Sequence, residues 1–253
     1  MFPTKRITLG GDVFRDEYSL AFDGTDDYVD CGDAVSNISD YPFSVTGWFK
    51  SPVAGDSMIF AINDESTSSI DYKLLLRAAN NEGNLRLTCR EPASNSGSAT
   101  HTDTTPATSN EFNNNQWHHF VAVFENNTSR ILYVNGVSRS TNTTDVDFIA
   151  ATDSFVIGAN NDNNSTSKYY EGNISEIALY SSALSASQVA TIYNGREPYN
   201  HKEGVASSNL VGWWRMGDGL ENHSGSTIYD MSTNSNNGTM TNMASDDFTG
   251  DTP

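Results

Sequence analysis

From residue 18 onward the chain repeats one pattern, in which short apolar runs alternate with clusters of Gly, Asn, Asp, Ser and Thr. Several of these runs place a hydrophobic side chain at every second position, the period of a half-buried strand, while the turn residues between them stop a helix from spanning the breaks. Tyr18, Leu20 and Phe22 share one face ahead of an Asp23-Gly24 turn; Phe43, Val45, Gly47 and Phe49 share another, as do Leu85, Leu87 and Cys89. The run WHHFVAVF (117–124) is apolar on both faces, which suits an inner strand. ILYVNGV (131–137) carries Asn135-Gly136, the pair preferred in a tight hairpin turn. Strands of this kind, repeated over 253 residues, predict an all-β, two-sheet antiparallel jelly-roll sandwich folding as a single unit.

One segment breaks the pattern. Ser185 and Gln188 have capping-box spacing, Leu184 and Val189 can staple the first turn, and Val189, Ile192 and Tyr193 fall on one helical face before Gly195. A single short helix is therefore expected near 186–193. Residues 196–209 read as a linker, and NLVGWWRMGDG beyond them offers one more strongly apolar strand. Adjacent strand residues face opposite ways, so Trp213 and Trp214 read mostly as core, with one ring available as a sugar-stacking platform. Two long polar stretches, 92–115 and 160–168, read either as flexible connections or as a binding rim.

Charge narrows the partners. With 14 Lys+Arg against 32 Asp+Glu, the formal charge is −18, which repels a phosphate backbone and excludes nucleic acid as a natural ligand. The same acids keep a protein in solution and also offer oxygen ligands to a hard cation. Two cysteines, Cys31 and Cys89, exclude a disulfide framework; they read as two buried thiols or as one optional bridge. The N-terminal residues lack the apolar core of a secretory signal, and no stretch approaches the ~18 apolar residues that span a bilayer. A cytoplasmic product without a membrane partner is the expectation.

Four blocks in order resemble the laminin-G-like and pentraxin-like branch of the concanavalin A-like sandwiches: SLAFDGTDDYVDCG (19–32), FSVTGWFK (43–50), WHHFVAVFENNTSRILYVNGV (117–137), and FVIGAN (155–160) followed by YYEGNISEIALYSSALSASQVATIYNG (169–195). The segment 209–242 resembles the piece that precedes the opening strand in such domains, yet here it comes last. It reads as a permuted strand completing the same sandwich or as the start of a second, truncated unit. The resulting division is an N-terminal arm (1–17), a laminin-G-like sandwich (18–200) and a C-terminal segment (201–253). Together the WWRMGDG block and the N-terminal ITLGGDVFRDEYSLAFDG resemble laminin-G-like proteins of tailed bacteriophages, which implies a virion component made in the host cytoplasm.

The resemblance is richer in fold than in chemistry, because one sandwich hosts lectins, glycanases and structural parts. Glycanases of this fold carry an E-x-D-x-x-E triplet that sets two acids on one strand face. The nearest approach, Asp145 and Asp147, has Ala150 where the third acid belongs. His118 and His119 are neighbours on a strand and point apart, so they cannot share a metal. For calcium, pentraxin-like proteins use a loop after the I-G strand, which implies Asn160, Asn161 and Asp162 here, with Asp64 and Asp71 from a second loop. Ca2+ takes six to eight oxygens from flexible loops, but Asn160 stands where the family has a carboxylate, and Asn/Asp-rich loops are also plain turns. No catalytic residue is expected.

The sequence thus predicts a non-enzymatic attachment or structural protein of a tailed-phage virion, decorating a head or forming part of a tail fibre, with a lectin-like sandwich for surface glycans. Other virion proteins would dock through the N-terminal arm, where Lys5, Arg6 and Arg15 alternate with Ile7, Leu9, Val13 and Phe14, and the particle would carry it as a homo-oligomer. The same arm also fits an extra strand of its own domain. A free carbohydrate-binding module or adhesin is the second reading and a glycoside hydrolase the third.

Overall fold

The computed structural model describes residues 14–38, 40–52, 55–63, 73–79, 84–89, 100–103, 111–146, 152–162, 165–219, 221 and 223–253. In chain order the strands are β1 (Ser19–Asp23), β2 (Tyr28–Asp30), β3 (Phe43–Lys50), β4 (Ser57–Asn63), β5 (Lys73–Ala79), β6 (Asn84–Cys89) and β7 (Thr100–Asp103). There follow β8 (His118–Asn126), β9 (Ser129–Val134), β10 (Val137–Asn142), β11 (Ser154–Ile157), β12 (Asn160–Asp162), β13 (Ser165–Ser167) and β14 (Glu171–Tyr180). Helix α1 (Ala186–Tyr193) precedes β15 (Leu210–Trp214), β16 (Thr227–Ile228), β17 (Gly238–Thr241) and β18 (Phe248–Thr249).

Two antiparallel sheets form the expected sandwich. The first runs β10-β9-β8-β3-β14-β1-β18, with β15 also on β14; the second runs β16-β17-β2-β11-β4-β5-β6-β7. The ten-residue β14 is long enough to serve two partners on one side: Ile174 and Gly172 lie opposite Leu20 and Phe22 of β1, while Ile177 and Leu179 lie opposite Trp214 and Gly212 of β15. The C-terminal segment enters both sheets, since β17 pairs with β2 in the second.

Alternation sends the predicted side chains inward. Leu20, Phe22, Phe43, Val45, Phe49, Leu85, Leu87 and Cys89 join one buried cluster between the sheets, and Gly47 leaves room there for Ile177 and Phe120. Asn135 and Gly136 both take positive φ (50° and 76°), the geometry of the tight hairpin expected between β9 and β10. Cys31 and Cys89 are buried free thiols. Trp214 belongs to the inner cluster, and Trp213 to a second cluster on the outer face of the first sheet. Neither tryptophan is a sugar platform, because both faces of β15 are covered.

The outer cluster has a cause in the chain order. Ser185 accepts from the Gln188 N–H while Gln188 returns a bond to the Ser185 N–H, and this box starts α1 so that Val189 and Ile192 turn onto the sheet beside Tyr133, Tyr180 and Trp213. The stretch 196–209, read as a linker, instead closes that cluster with Tyr199, His201 and Val205. Its pattern hides this because His201 is polar in type; here Tyr180 bonds His201 Nδ1, and burial holds the imidazole neutral with its pKa down at about 3. Among the described residues, the two polar stretches also contain more structure than expected: β7 lies in the first, and β12 with β13 form a hairpin in the second. Their strands are Ser-, Thr- and Asn-rich on both faces, so no hydrophobic alternation announces them.

Candidate functional site

The outer face of the second sheet carries the residues that the sequence points to for ligand binding. Val29, Ile62, Phe155 and Ile157 face inward, so Tyr28, Ala61, Asn63, Ser154 and Val156 face out. At Gly158, with φ +86°, the chain swings from β11 into the β12–β13 hairpin; any Cβ there would enter the Phe22 ring. The hairpin folds back on β4, where Met58 donates its N–H to the Lys168 carbonyl (3.0 Å) and Lys168 pairs with Asp56.

Asn63 and Ser154 sit directly opposite each other across β4 and β11. The Asn63 amide nitrogen donates to Asn160 Oδ1 (3.4 Å) and to the Asn161 carbonyl. Asn63 Oδ1 and Ser154 Oγ are buried and have no hydrogen-bond partner, although both residues are only 1% exposed. Buried polar atoms are seldom left unsatisfied, since each costs roughly 1–3 kcal/mol. Asn63 Oδ1 and Ser154 Oγ thus mark the polar point of a sheet face that is otherwise lined here by Ala61 and Val156.

Of the sequence-assigned calcium residues, Asn160 and Asn161 are brought together on β12, both buried, with Asn160 Nδ2 against Ser167 Oγ (3.5 Å). Asp64 and Asp71 lie outside the described residues, as does the Asp162 side chain. Asn63 was missed by sequence reasoning. Its only signal is an amide ending the apolar run SMIFAI, and its role depends on a β4–β11 register that no local pattern encodes. Amide, hydroxyl and carbonyl oxygens are the donor type that Ca2+ takes, although here Asn160 Oδ1 and the Asn161 carbonyl already accept from Asn63 Nδ2.

The same hairpin presents aromatic surface. Tyr169 lies with its ring centroid 6.5 Å from that of Tyr28, tilted by 35°, and both rings are half-buried. The Tyr169 hydroxyl bonds Thr166 Oγ1 (2.7 Å), and Thr166 pairs with Asn161 across the hairpin. One supersecondary unit thus ties the aromatic pair to the amide niche.

Other candidates have structural explanations. Asp23, Asp26 and Asp27 bring carboxylate oxygens within 4.8 Å of one another. Asp23 Oδ1 accepts from the Thr25 and Asp26 N–H groups and Asp27 Oδ2 from the Asp23 N–H, so the three acids shape their own turn. Burial, with Asp23 and Asp247 nearby, raises Asp27 to about 6. His118 faces Phe49 and Phe112 on the inner side of the first sheet; His119 faces Trp48 and Tyr193 on the outer side. Burial lowers them to about 4 and about 3, which makes both neutral packing groups. Asp145 accepts from Asn127 Nδ2 (2.7 Å) at the surface, and 147–150 lie outside the described residues. Among the described residues no helix is long and apolar enough to cross a membrane.

Known proteins carry the same architecture. A pentraxin of Limulus polyphemus, described as SAP-like and heptameric, superposes with a TM-score of 0.55 at 16% identity, covering 76% of this chain and 85% of its own. The CBM40 of a Ruminococcus gnavus IT-sialidase, bound to alpha2,3 sialyllactose, gives 0.56 at 10% identity, covering 69% and 96%. Domain 4 of AbnA, a GH43 extracellular arabinanase of Geobacillus stearothermophilus, in complex with arabinotriose, gives 0.50 at 22%, covering 69% and 76%. At these identities the likeness is one of fold. A search of the curated proteins finds no match. The family profile described as the concanavalin A-like lectin/glucanases superfamily matches residues 23–190, well over half of the sequence, and with the two-sheet architecture this shows that the chain belongs to that laminin-G-like family.

Proposed function

We propose that the chain is a non-catalytic, lectin-like glycan-binding sandwich that serves as an attachment component of a tailed-phage virion. The observation that carries the glycan reading is the half-buried Tyr28–Tyr169 pair, which the Tyr169–Thr166 hydrogen bond ties to the polar β12–β13 hairpin. Sugars present an apolar ring face and a rim of hydroxyls, so an aromatic pair flanked by a hairpin rich in Ser, Thr and Asn matches both halves of such a ligand. The structural neighbours solved with arabinotriose and sialyllactose support this use of the fold. Calcium would be held by Asn160, Asn161 and Asp162 with Asp64 and Asp71, and Asn63 adds an oxygen to that set. A bound Ca2+ supplies a fixed positive charge for vicinal hydroxyls.

The virion setting is supported by the resemblance of the WWRMGDG and N-terminal blocks to phage proteins, and these blocks touch: Glu17 and Tyr18 donate their N–H groups to Asp218. A free carbohydrate-binding module is the second reading, favoured by the sugar-bound neighbours. Non-catalysis is supported by Ala150 in the place of the third acid of a glycanase triplet.

Screening the full chain on a glycan array, then titrating the best ligand calorimetrically, tests recognition. Tyr169→Ala should weaken binding about five- to tenfold, since one aromatic contact contributes on the order of 1–1.5 kcal/mol. Unchanged affinity in Tyr169→Ala, or an array without hits, removes the assigned face. With free Ca2+ at a hundredfold its Kd, a bound ion stabilises by about 2.7 kcal/mol, so chelator should lower Tm by roughly 5–10 °C and Asp162→Ala should abolish the shift. Fixed copy number in purified particles separates a virion part from a free module.

A further inference from the structure

We infer that residues 14–18 form a proton-dependent latch, docking on the outer face of the first sheet only when Asp16 and Glu176 share one proton between their carboxyl groups. Four contacts hold the segment down without any strand pairing. Phe14 lies against the Arg215 guanidinium (4.4 Å) and stacks on Trp213; the Arg15 carbonyl accepts from Arg215 Nη2; and Asp218 Oδ2 accepts from the N–H groups of Glu17 (2.7 Å) and Tyr18 (2.8 Å). Asp16 is the remaining contact. One of its oxygens takes a long bond from Ser175 Oγ (3.4 Å), while Oδ2 is buried with no donor and the carboxyl lies against that of Glu176.

Glu176 cannot move away. It sits at a bulge in β14 with φ +54°, wholly buried, with Oε1 on Arg215 Nε (2.9 Å) and Oε2 on Trp213 Nε1 (2.6 Å). The other Arg215 nitrogens are turned to the Asp218 and Arg15 carbonyls, so the guanidinium serves the Glu176 carboxyl directly and acts on Asp16 from nearby, while the Asp218 carboxylate adds its negative charge beside Asp16. Arg15 and Glu17 of the same segment pair with each other at the surface, and His201, beyond Trp213, is neutral. Two ionised carboxylates in contact repel, whereas a carboxylic acid donates to a carboxylate. A proton on the pair therefore supplies the donor that Asp16 Oδ2 lacks.

Undocked, Asp16 is an ordinary aspartate, ionised above pH ~4. Docked, burial above all, and then the neighbouring Glu176 and Asp218 carboxylates, raise it well above that. The docked state thus holds one more proton above pH ~4, for as long as the pair keeps its shared proton, and there docking weakens as pH rises, by about tenfold per pH unit. The latch holds in acid and loosens toward alkaline pH, releasing the chain ahead of β1 and uncovering Trp213 and Arg215.

The Glu17 and Tyr18 amides report the latch directly. Hydrogen exchange of the full chain, measured by NMR and divided by intrinsic rates, should show their protection factors falling about tenfold per pH unit from pH 5 to 8, while core amides of β3 keep theirs. In Asp16→Asn the carboxamide replaces the shared proton, so protection should become independent of pH. Flat wild-type protection over this range, or an equal slope in Asp16→Asn, overturns the proposal. Should Asp16→Asn fail to dock, the wild-type slope alone decides between one proton and none.

Discussion

The first sheet has a hydrophobic cluster on each side, and the two differ in where they admit charge. Between the sheets, Phe43, Phe120, Phe155 and Trp214 pack with buried ionisable nitrogen, among the described residues, at the two ends of β8: His118 begins that strand, and Arg130, opposite Phe124, turns its guanidinium to the Asn127 and Thr144 carbonyls. On the outer side, Glu176, Arg215, His119 and His201 lie among Trp213, Tyr180 and Ile192. The inner core needs only shape, because two sheets approach it as ready-made surfaces. The outer core is closed by a helix, an irregular segment and a strap, which hydrophobicity alone does not orient. Hydrogen-bonded charges fix their placement at a cost in stability.

That contrast can be broken from either side. The largest effect belongs to Phe120→Ala, which empties the space between Phe49 and Phe60; about 4 kcal/mol should be lost in denaturant unfolding, equally at pH 5 and pH 8. Arg215→Ala leaves Glu176 buried without its cation and should cost about 3 kcal/mol at pH 8. Its deficit, unlike that of Phe120→Ala, should shrink at pH 5, because Glu176, already raised by burial, then takes a proton. A deficit independent of pH would mean that the outer cluster behaves like the inner one.

The buried histidines sharpen the comparison further. His119 and His201 are both depressed to about 3, chiefly by burial, so the unfolded chain binds more protons than the folded one below pH ~6.5. Their contribution is full above that value and is lost as pH falls toward 3, at up to about 1.4 kcal/mol per pH unit for each. His119→Asn should remove one proton from the measured slope. Smallest is Ser185→Ala, which deletes the cap of α1 and should lower stability by about 1 kcal/mol, with exchange at the helix N-terminus rising first.

The inner core was legible in the sequence because its strands alternate: Phe43, Val45 and Phe49, or Leu85, Leu87 and Cys89, place themselves. The helix was legible from Ser185 and Gln188, and the hairpin from Asn135-Gly136. The outer core was not, since His201 and Glu176 are buried by partners distant in sequence and the bulge at Glu176 breaks the period of two. The candidate site was half legible: the I-G strand pointed to Asn160 and Asn161, while Asn63 became visible only through the register that sets it opposite Ser154.

The two-residue β18 bears on how the molecule takes mechanical load. Its Thr249 lies beside Ser19 at the start of β1, and Asp251 beyond it is tied to Lys50 and to the Trp117 indole (3.0 Å). Tension between residues 14 and 253 therefore opens this short ladder one rung at a time, a geometry that yields at low force. Tension between the β1 end and the outer face of the opposite sheet runs instead across the sandwich and loads the packing between the sheets all at once. Under the glycan-attachment role proposed above, a tether near β1 and a ligand on the far sheet would place the load on that packing and spare the short ladder.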